Sequence, residues 1–277
     1  MVKPFLRWAG GKSRIVKRLL NYLPEDLRGR TYQEPFLGAG SLFLLLKPRQ
    51  AVLSDANKHL MACYRFVRDE PEKVHEYLMR HAKRVSRSYY NAVRHGYNGA
   101  GESAEQAARF IFLNKTCFNG IFRVNKKGVF NVPFGKHQYP TLPGREQLAA
   151  VSAALRDAEL RACAFEEATD NAAAKDFFYL DPPYPPLNGT SYFTHYTSEQ
   201  FGEEDQRRLA ESVRTIDQRG AKFLMTNADT QWIRHLYKEF HIDHLSVFRC
   251  ITCKAKRYRV NELIITNYKP MVLGGGA

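Results

Sequence analysis

Cysteine is scarce: the 277-residue chain has five, at positions 63, 117, 163, 250 and 253. So sparse and odd a set is not a secreted disulfide scaffold, and reduced thiols are the expected state. No apolar run approaches the length of a membrane span. The opening Met1-Val2-Lys3-Pro4-Phe5 lacks the apolar core of a signal peptide, so a cytoplasmic location is the default expectation. Internal repeats, heptads and low-complexity blocks are also missing, which excludes solenoids and coiled coils. Acid is the remaining shortage, with 28 Asp and Glu against 42 Lys and Arg and a net charge of +14. The excess is uneven: residues 56–144 hold 15 basic against 6 acidic side chains, whereas residues 145–277 hold 17 against 18. Clustered positive charge favours a polyanion by releasing its counterions, although a merely soluble basic protein would carry it too. The 44% hydrophobic and 25% charged shares are ordinary for a globular chain. Its length suits one large domain, or a core domain with a smaller insertion.

Short β-favouring runs bounded by turn residues predict strands at 31–36, 51–54, 177–180 and 222–226. Two more, at 244–248 and 260–266, flank a basic segment and are expected to pair as an antiparallel hairpin. Apolar residues Leu60, Tyr64, Val67, Val74, Tyr77 and Leu78 recur at helical spacing, so residues 57–87 are read as helical, as are 104–113 and 203–218. Residues 120–143, rich in Gly, Asn and Pro, predict a loop or hairpin. The change from strands to helices coincides with the step in charge. We therefore expect an α/β catalytic domain in two pieces, 1–56 and 145–270, an inserted and mainly helical domain at 57–144, and a loose tail at 271–277.

Asp181-Pro182-Pro183-Tyr184 follows the apolar run Phe177-Phe178-Tyr179-Leu180, where a buried strand would end and where open α/β sheets bind ligands. Two prolines stiffen that turn and present a carboxylate together with an aromatic face. A planar group carrying an exocyclic amine needs both, and a nucleobase fits. Leu37-Gly38-Ala39-Gly40 follows another strand and would let backbone approach a cofactor, while Asp55, at the end of the next strand, could accept hydrogen bonds from a ribose diol. The full three-glycine dinucleotide pattern is broken by Phe43, so a nucleoside without a pyrophosphate suits better. Gly11-Lys12-Ser13 mimics the end of a phosphate loop, but Leu6 stands where its first glycine belongs, which excludes that reading. Beside a cofactor pocket, Trp8 would offer a face and Lys12 a charge for a carboxylate. Cys250 and Cys253 have metal-ligand spacing without a second pair, so no metal is expected.

Five stretches in the same order carry a resemblance: Trp8-Ala9-Gly10-Gly11-Lys12; Pro35-Phe36-Leu37-Gly38-Ala39-Gly40; Leu113-Asn114-Lys115 with Phe118-Asn119-Gly120; Phe130-Asn131-Val132-Pro133-Phe134-Gly135; and Asp181-Pro182-Pro183-Tyr184. Together they resemble the Dam family of DNA adenine-N6 methyltransferases, from about Phe5 to Pro270. The resemblance implies a Rossmann-like, S-adenosylmethionine-dependent methyltransferase sheet with an inserted, mainly helical DNA-recognition domain, acting on double-stranded DNA, with GATC as the site. It implies Trp8, Lys12, Phe36, Gly38, Gly40, Asp55 and Asp181 around the cofactor. Arg123 matches an arginine that reads guanine, Phe118 an aromatic wedge with Asn119 beside it, and Ile121 and Pro133 contacts to thymine, while Arg7 would meet the outer guanine. The pattern departs at His137-Gln138-Tyr139.

On that resemblance the target adenine leaves the duplex and Phe118 covers the gap. Tyr184 stacks on the base, Asp181 and the Pro182 carbonyl accept hydrogen bonds from N6, and Phe193 and Tyr196 wall the pocket. Transfer is direct and in line, so Cys117 has no nucleophilic part and remains a packed small residue. Lys254, Lys256 and Arg257 lie in an acid-free basic segment and are expected on phosphates. A monomer is the expected solution state, with no metal and no membrane partner. Two alternatives stay open: an RNA or protein-amide N-methyltransferase, favoured by label passing to RNA but not to a GATC duplex, and an inactive DNA-binding regulator, argued against by intact Asp181, Tyr184, Gly38 and Gly40.

Overall fold

The structure is a computed structural model that describes residues 2–135, 140–184, 201–250 and 257–270, with backbone only at 248–250 and 257–259. Its centre is a seven-stranded sheet in the order β3-β2-β1-β4-β5-β7-β6. The strands are β1 (Thr31–Glu34), β2 (Ala51–Ser54), β3 (Ala158–Arg161), β4 (Asp176–Leu180), β5 (Lys222–Ala228), β6 (His241–Cys250) and β7 (Arg257–Thr266). All pairings are parallel except those of β7, which runs antiparallel to both β5 and β6. β4 is buried at all of its positions, as a central parallel strand covered on two faces must be. Its side chains divide with a period of two: Phe177 and Tyr179 join one apolar cluster, Phe178 and Leu180 the other.

Ten α-helices flank the sheet among the described residues: α1 (Val16–Leu19), α2 (Ser41–Leu46), α3 (Lys58–Asp69), α4 (Pro71–Ala82), α5 (Arg87–Asn98), α6 (Ala104–Thr116), α7 (Arg145–Leu155), α8 (Phe165–Thr169), α9 (Glu203–Gln218) and α10 (Gln231–Leu236). The helical stretch expected over 57–87 is broken at Glu70, because Pro71 lacks an amide hydrogen and is tolerated only at the start of a new helix. Asn57, Ser86 and Ser103 cap α3, α5 and α6, each side chain accepting from the backbone amide three residues on. These helices share one apolar cluster with a face of the sheet, in which Tyr32, Phe43 and Phe177 meet Tyr64, Tyr90, Phe112 and Leu148. On the other face Leu209, Val213 and Ile216 of α9 cover Phe223 and Met225.

The chain runs outward from β1 through β2 to β3, then returns to β4 and proceeds through β5 the other way. The order therefore reverses between β1 and β4, and a crevice opens beyond their carboxyl ends. Glu34 closes β1 and Asp181 follows β4, so the two sequence motifs converge there.

Candidate active site

After Glu34 the backbone must turn sharply into α2. Gly38 and Gly40 supply the turn with φ of 47° and 61°, a region costly for other residues. The amide of Gly40 donates to the Leu37 carbonyl at 2.7 Å, and the Tyr64 hydroxyl from α3 donates to the Gly38 carbonyl at 3.1 Å. Asp55 fastens the turn from the end of β2, accepting from the amides of Gly38 at 3.0 Å and Asn57 at 2.9 Å. Burial pushes its carboxyl up to about 6 against those two hydrogen bonds. A Cβ at Gly38 would lie 2.7 Å from Cδ1 of Trp8, so the missing side chain makes room for the indole. Trp8 in turn lies near parallel to Phe110 of α6 and to Phe122, with ring centroids 6.5 and 6.2 Å away. Half-buried Phe36 lies over Phe165 at 5.5 Å and meets Phe201 edge-on at 5.9 Å.

At β4 the motif residues form a charged cluster. The Asp181 carboxylate accepts from Lys12 Nζ at 2.5 Å and from the Thr226 hydroxyl at 2.6 Å, both on Oδ1. Lys12, expected at a ligand carboxylate, thus has a protein carboxylate as its partner, and its ammonium also donates to the Gly10 carbonyl at 2.9 Å. It is buried at 5% exposure, stands 4.7 Å from the Tyr184 ring centroid and lies 4.0 Å from Glu262 on β7. The Tyr184 hydroxyl donates to Glu262 Oε2 at 3.1 Å. Burial pushes the Asp181 carboxyl up, opposed by Lys12 and the Thr226 hydroxyl and reinforced by Glu262. Glu34, fully enclosed and accepting from Tyr32 at 2.7 Å, is pushed up to about 8 by burial and, secondarily, by the nearby Asp181 charge. The Lys12 ammonium is paired with Asp181 and, at the longer distance, with Glu262. Thr226, Glu262 and Glu34 were not singled out by sequence reasoning, which has no local signal for a polar side chain buried by distant strands.

The loop after α6 forms a second cluster. Asn114 bonds Arg7 twice, accepting from its amide at 2.8 Å and donating to its carbonyl at 2.7 Å, and also donates to the Gly120 carbonyl at 3.2 Å. This ties the Trp8 loop to Phe118-Asn119-Gly120. Phe118 is 41% exposed, uncommon for a ring that size, and Asn119 beside it is exposed with a φ of 55°. In the stretch expected to be a loop or hairpin, the described residues turn at Asn125–Gly128 and bridge Val124 to Phe130. Asn131 accepts from Arg123 Nε at 2.8 Å, which orients the guanidinium. Ile121 is half-buried and Pro133 exposed on the same segment, and Asn98 of α5 holds Phe130 through both backbone groups. His137, Gln138, Tyr139, Phe193, Tyr196, Lys254 and Lys256 lie outside the described residues, as does the side chain of Arg257. Among the described residues no group of His, Cys, Asp and Glu is arranged to hold a metal, and no helix is long and apolar enough to cross a membrane.

The family model for D12 class N6 adenine-specific DNA methyltransferases matches residues 8–251. This chain belongs to that family. It is 38% identical to the Type II methyltransferase M.MjaIII of Methanocaldococcus jannaschii over 96% of this chain and 99% of that protein. The Type II methyltransferase M1.LlaDCHI of Lactococcus lactis is 36% identical, covering 96% of each chain. The DNA adenine methylase of Escherichia coli K12 is 32% identical, covering 98% of this chain and 97% of that one. As a D12 methyltransferase the chain has the expected Rossmann-like α/β sheet, and its Asp181-Pro182-Pro183-Tyr184 turn lies at the switch point of that sheet.

Proposed function

We propose that this D12 methyltransferase moves a methyl group from S-adenosylmethionine to N6 of an extruded adenine in duplex DNA, with GATC as the target. The observation that carries the reading is the Asp181 carboxylate held on one oxygen by Lys12 and Thr226, beside the Tyr184 ring, at the carboxyl end of β4. The donor set in the crevice suits a nucleoside with an amino-acid tail. Asp55 supplies a fixed carboxylate for ribose hydroxyls, Phe36 an aromatic face, Gly38 and Gly40 a turn without side chains, and Trp8 the wall behind it. When bound, the sulfonium cofactor supplies an electrophilic methyl group.

The protein's part is positioning and charge placement. Asp181 and the Pro182 carbonyl accept the two N6–H groups and draw the nitrogen lone pair out of conjugation with the ring. Tyr184 stacks on the base, with Phe193 and Tyr196 assigned to the pocket walls. Exposed Phe118 fills the gap left in the duplex, at an unstacking cost of a few kcal/mol. Arg123, oriented by Asn131, reads a guanine bidentately, with Ile121 and Pro133 against thymine methyls and Arg7 and Asn119 at the flanking positions. Lys254, Lys256 and Arg257 are assigned to phosphates. On this reading residues 57–144 form the recognition unit, and 1–56 with 145–270 the catalytic unit. The protein acts as a monomer on cytoplasmic DNA and needs no metal.

The test is digestion of DNA from cells expressing this chain with two nucleases that respond oppositely to methylated GATC, together with methyl-label transfer by purified protein. Protection against one nuclease and sensitivity to the other is expected, and Asp181→Ala should abolish both while sparing DNA binding. Label entering RNA but not a GATC duplex would overturn the reading.

A further inference from the structure

We propose that Glu262, on the antiparallel strand β7, is a positioning residue for methyl transfer: it accepts the Tyr184 hydroxyl and thereby fixes where that ring sits beside Asp181. The inference rests on the role given above to Asp181 and Tyr184.

The place of Glu262 in the fold needs an explanation. It is 5% exposed, and the next three residues, Leu263, Ile264 and Ile265, are all buried and apolar. A carboxylate at such a position costs free energy unless it is paired, and packing alone would be met better by another aliphatic side chain. Lys12 does not supply the whole reason, because its ammonium is 4.0 Å from Glu262 but 2.5 Å from Asp181. Glu262 also accepts from the Tyr184 hydroxyl, at 3.1 Å.

Tyr184 has the complementary problem. Two prolines restrain the backbone before it, yet a tyrosine on a turn still has two side-chain torsions to settle. A base platform must have one orientation, or the amino group it carries will not meet the Asp181 oxygens. Anchoring the hydroxyl, at the far end of the ring, settles the first torsion and the ring's position, while the Lys12 ammonium 4.7 Å over the ring bears on the second. β7 is a rigid place from which to do so, since Glu262 pairs with Ala228 of β5 on one side and Leu245 of β6 on the other. Thr226, two residues before Ala228 on β5, meanwhile grips Asp181. The carboxylate of the motif is thus held from β5 and its ring from β7, the next strand of the same sheet.

The experiment is a double-mutant cycle on purified full-length protein, read as kcat and KM on a GATC duplex with saturating donor. Losing a hydrogen bond to a charged acceptor corresponds to about a 10- to 100-fold fall in rate, so Glu262→Ala and Tyr184→Phe should each lower kcat on that scale with little change in donor KM. The double variant should lose clearly less than the product of the two single losses, because both break the same bond. Glu262→Gln, whose carbonyl oxygen still accepts, should restore kcat to within about threefold of wild type. Thermal unfolding of each variant separates loss of fold from loss of positioning. Should Glu262→Ala fail to fold, Tyr184→Phe and Glu262→Gln still decide: full kcat in Tyr184→Phe, or a Glu262→Gln variant as poor as Tyr184→Phe, overturns the proposal. So do multiplying losses in the cycle. A wild-type protein that methylates no adenine would instead sink the reading of the site itself.

Discussion

Lys12 decides how Asp181 behaves. On the proposed mechanism Asp181 accepts an N6–H group as a carboxylate, yet burial favours its protonated form, and the adjacent ammonium and the Thr226 hydroxyl oppose that tendency. Replacing Lys12 by Met removes the largest force lowering the Asp181 pKa, so the acidic limb of kcat should move to higher pH. Lys12→Arg, which keeps the charge, should leave that limb closer to its wild-type position. The removal should also destabilise the fold by about 3–5 kcal/mol at neutral pH, the usual cost of leaving a buried charge unpaired. An unmoved limb in the Met variant, measured by label transfer across pH 5–9 with donor saturating, would show that Lys12 does not keep Asp181 ionised. Glu34 titrates with a different consequence. Its folded-state pKa of about 8 lies above the ordinary 4.5, so the folded protein keeps a proton that the unfolded chain releases. Its contribution to stability is complete below 4.5 and is lost as pH rises to about 8, by at most ~1.4 kcal/mol per unit. Glu34→Gln still accepts from Tyr32 and cannot ionise, so its unfolding free energy should fall less between pH 5 and 8 than that of wild type. Parallel curves in urea titrations would remove Glu34 from the account.

Among the elements, the Gly38 turn shows how a short motif serves two neighbours. Its φ of 47° excludes most side chains, and its open side is filled by Trp8, itself packed on the rings of Phe110 and Phe122. Gly38→Ala should therefore cost about 2–3 kcal/mol from backbone strain and displaced indole, and weaken donor binding with it. Unchanged melting and donor titration would mean that the indole yields freely. That glycine was legible in the sequence because the turn needs it locally. The central strands were legible too: β2 runs over 51–54 as expected, β4 and β5 gain one and two residues, and the terminal hairpin pairs as expected but is longer at both strands. β3 was missed, since Ala-Glu-Leu-Arg alternates over only four residues and becomes a strand by pairing with β2. α7 was also missed, its apolar residues lying among alanines and polar residues and made helical chiefly by packing in the shared core. Of the site, Asp181, Tyr184, Gly38 and Asp55 announce themselves through turns and strand ends. Thr226 and Glu262 do not, because they matter only once strands 45 and 78 residues away are brought beside them.

At the scale of the whole molecule, the proposed function gives the net charge of +14 and the Arg123 segment two separable contributions to DNA binding. Charge neutralises phosphates whatever the sequence and releases counterions, so affinity for any duplex should fall with salt by a log–log slope of about −0.9 for each phosphate engaged. On the proposed reading Arg123 belongs to the other contribution: held by Asn131, its guanidinium would meet a guanine edge bidentately. Lys126 and Lys127, exposed on the turn of the same segment, are suited to phosphates. Arg123→Ala should then cost about 1–3 kcal/mol on a GATC duplex, much less on an unrelated one, and leave the salt slope nearly unchanged. Replacing Lys126 and Lys127 by Ala should weaken both duplexes alike and make the slope shallower by up to about two phosphates. Fluorescence anisotropy on the two duplexes from 50 to 200 mM salt gives each quantity. If Arg123→Ala flattens the slope and weakens both duplexes equally, it is one more phosphate contact, and the reading of guanine must lie with another side chain.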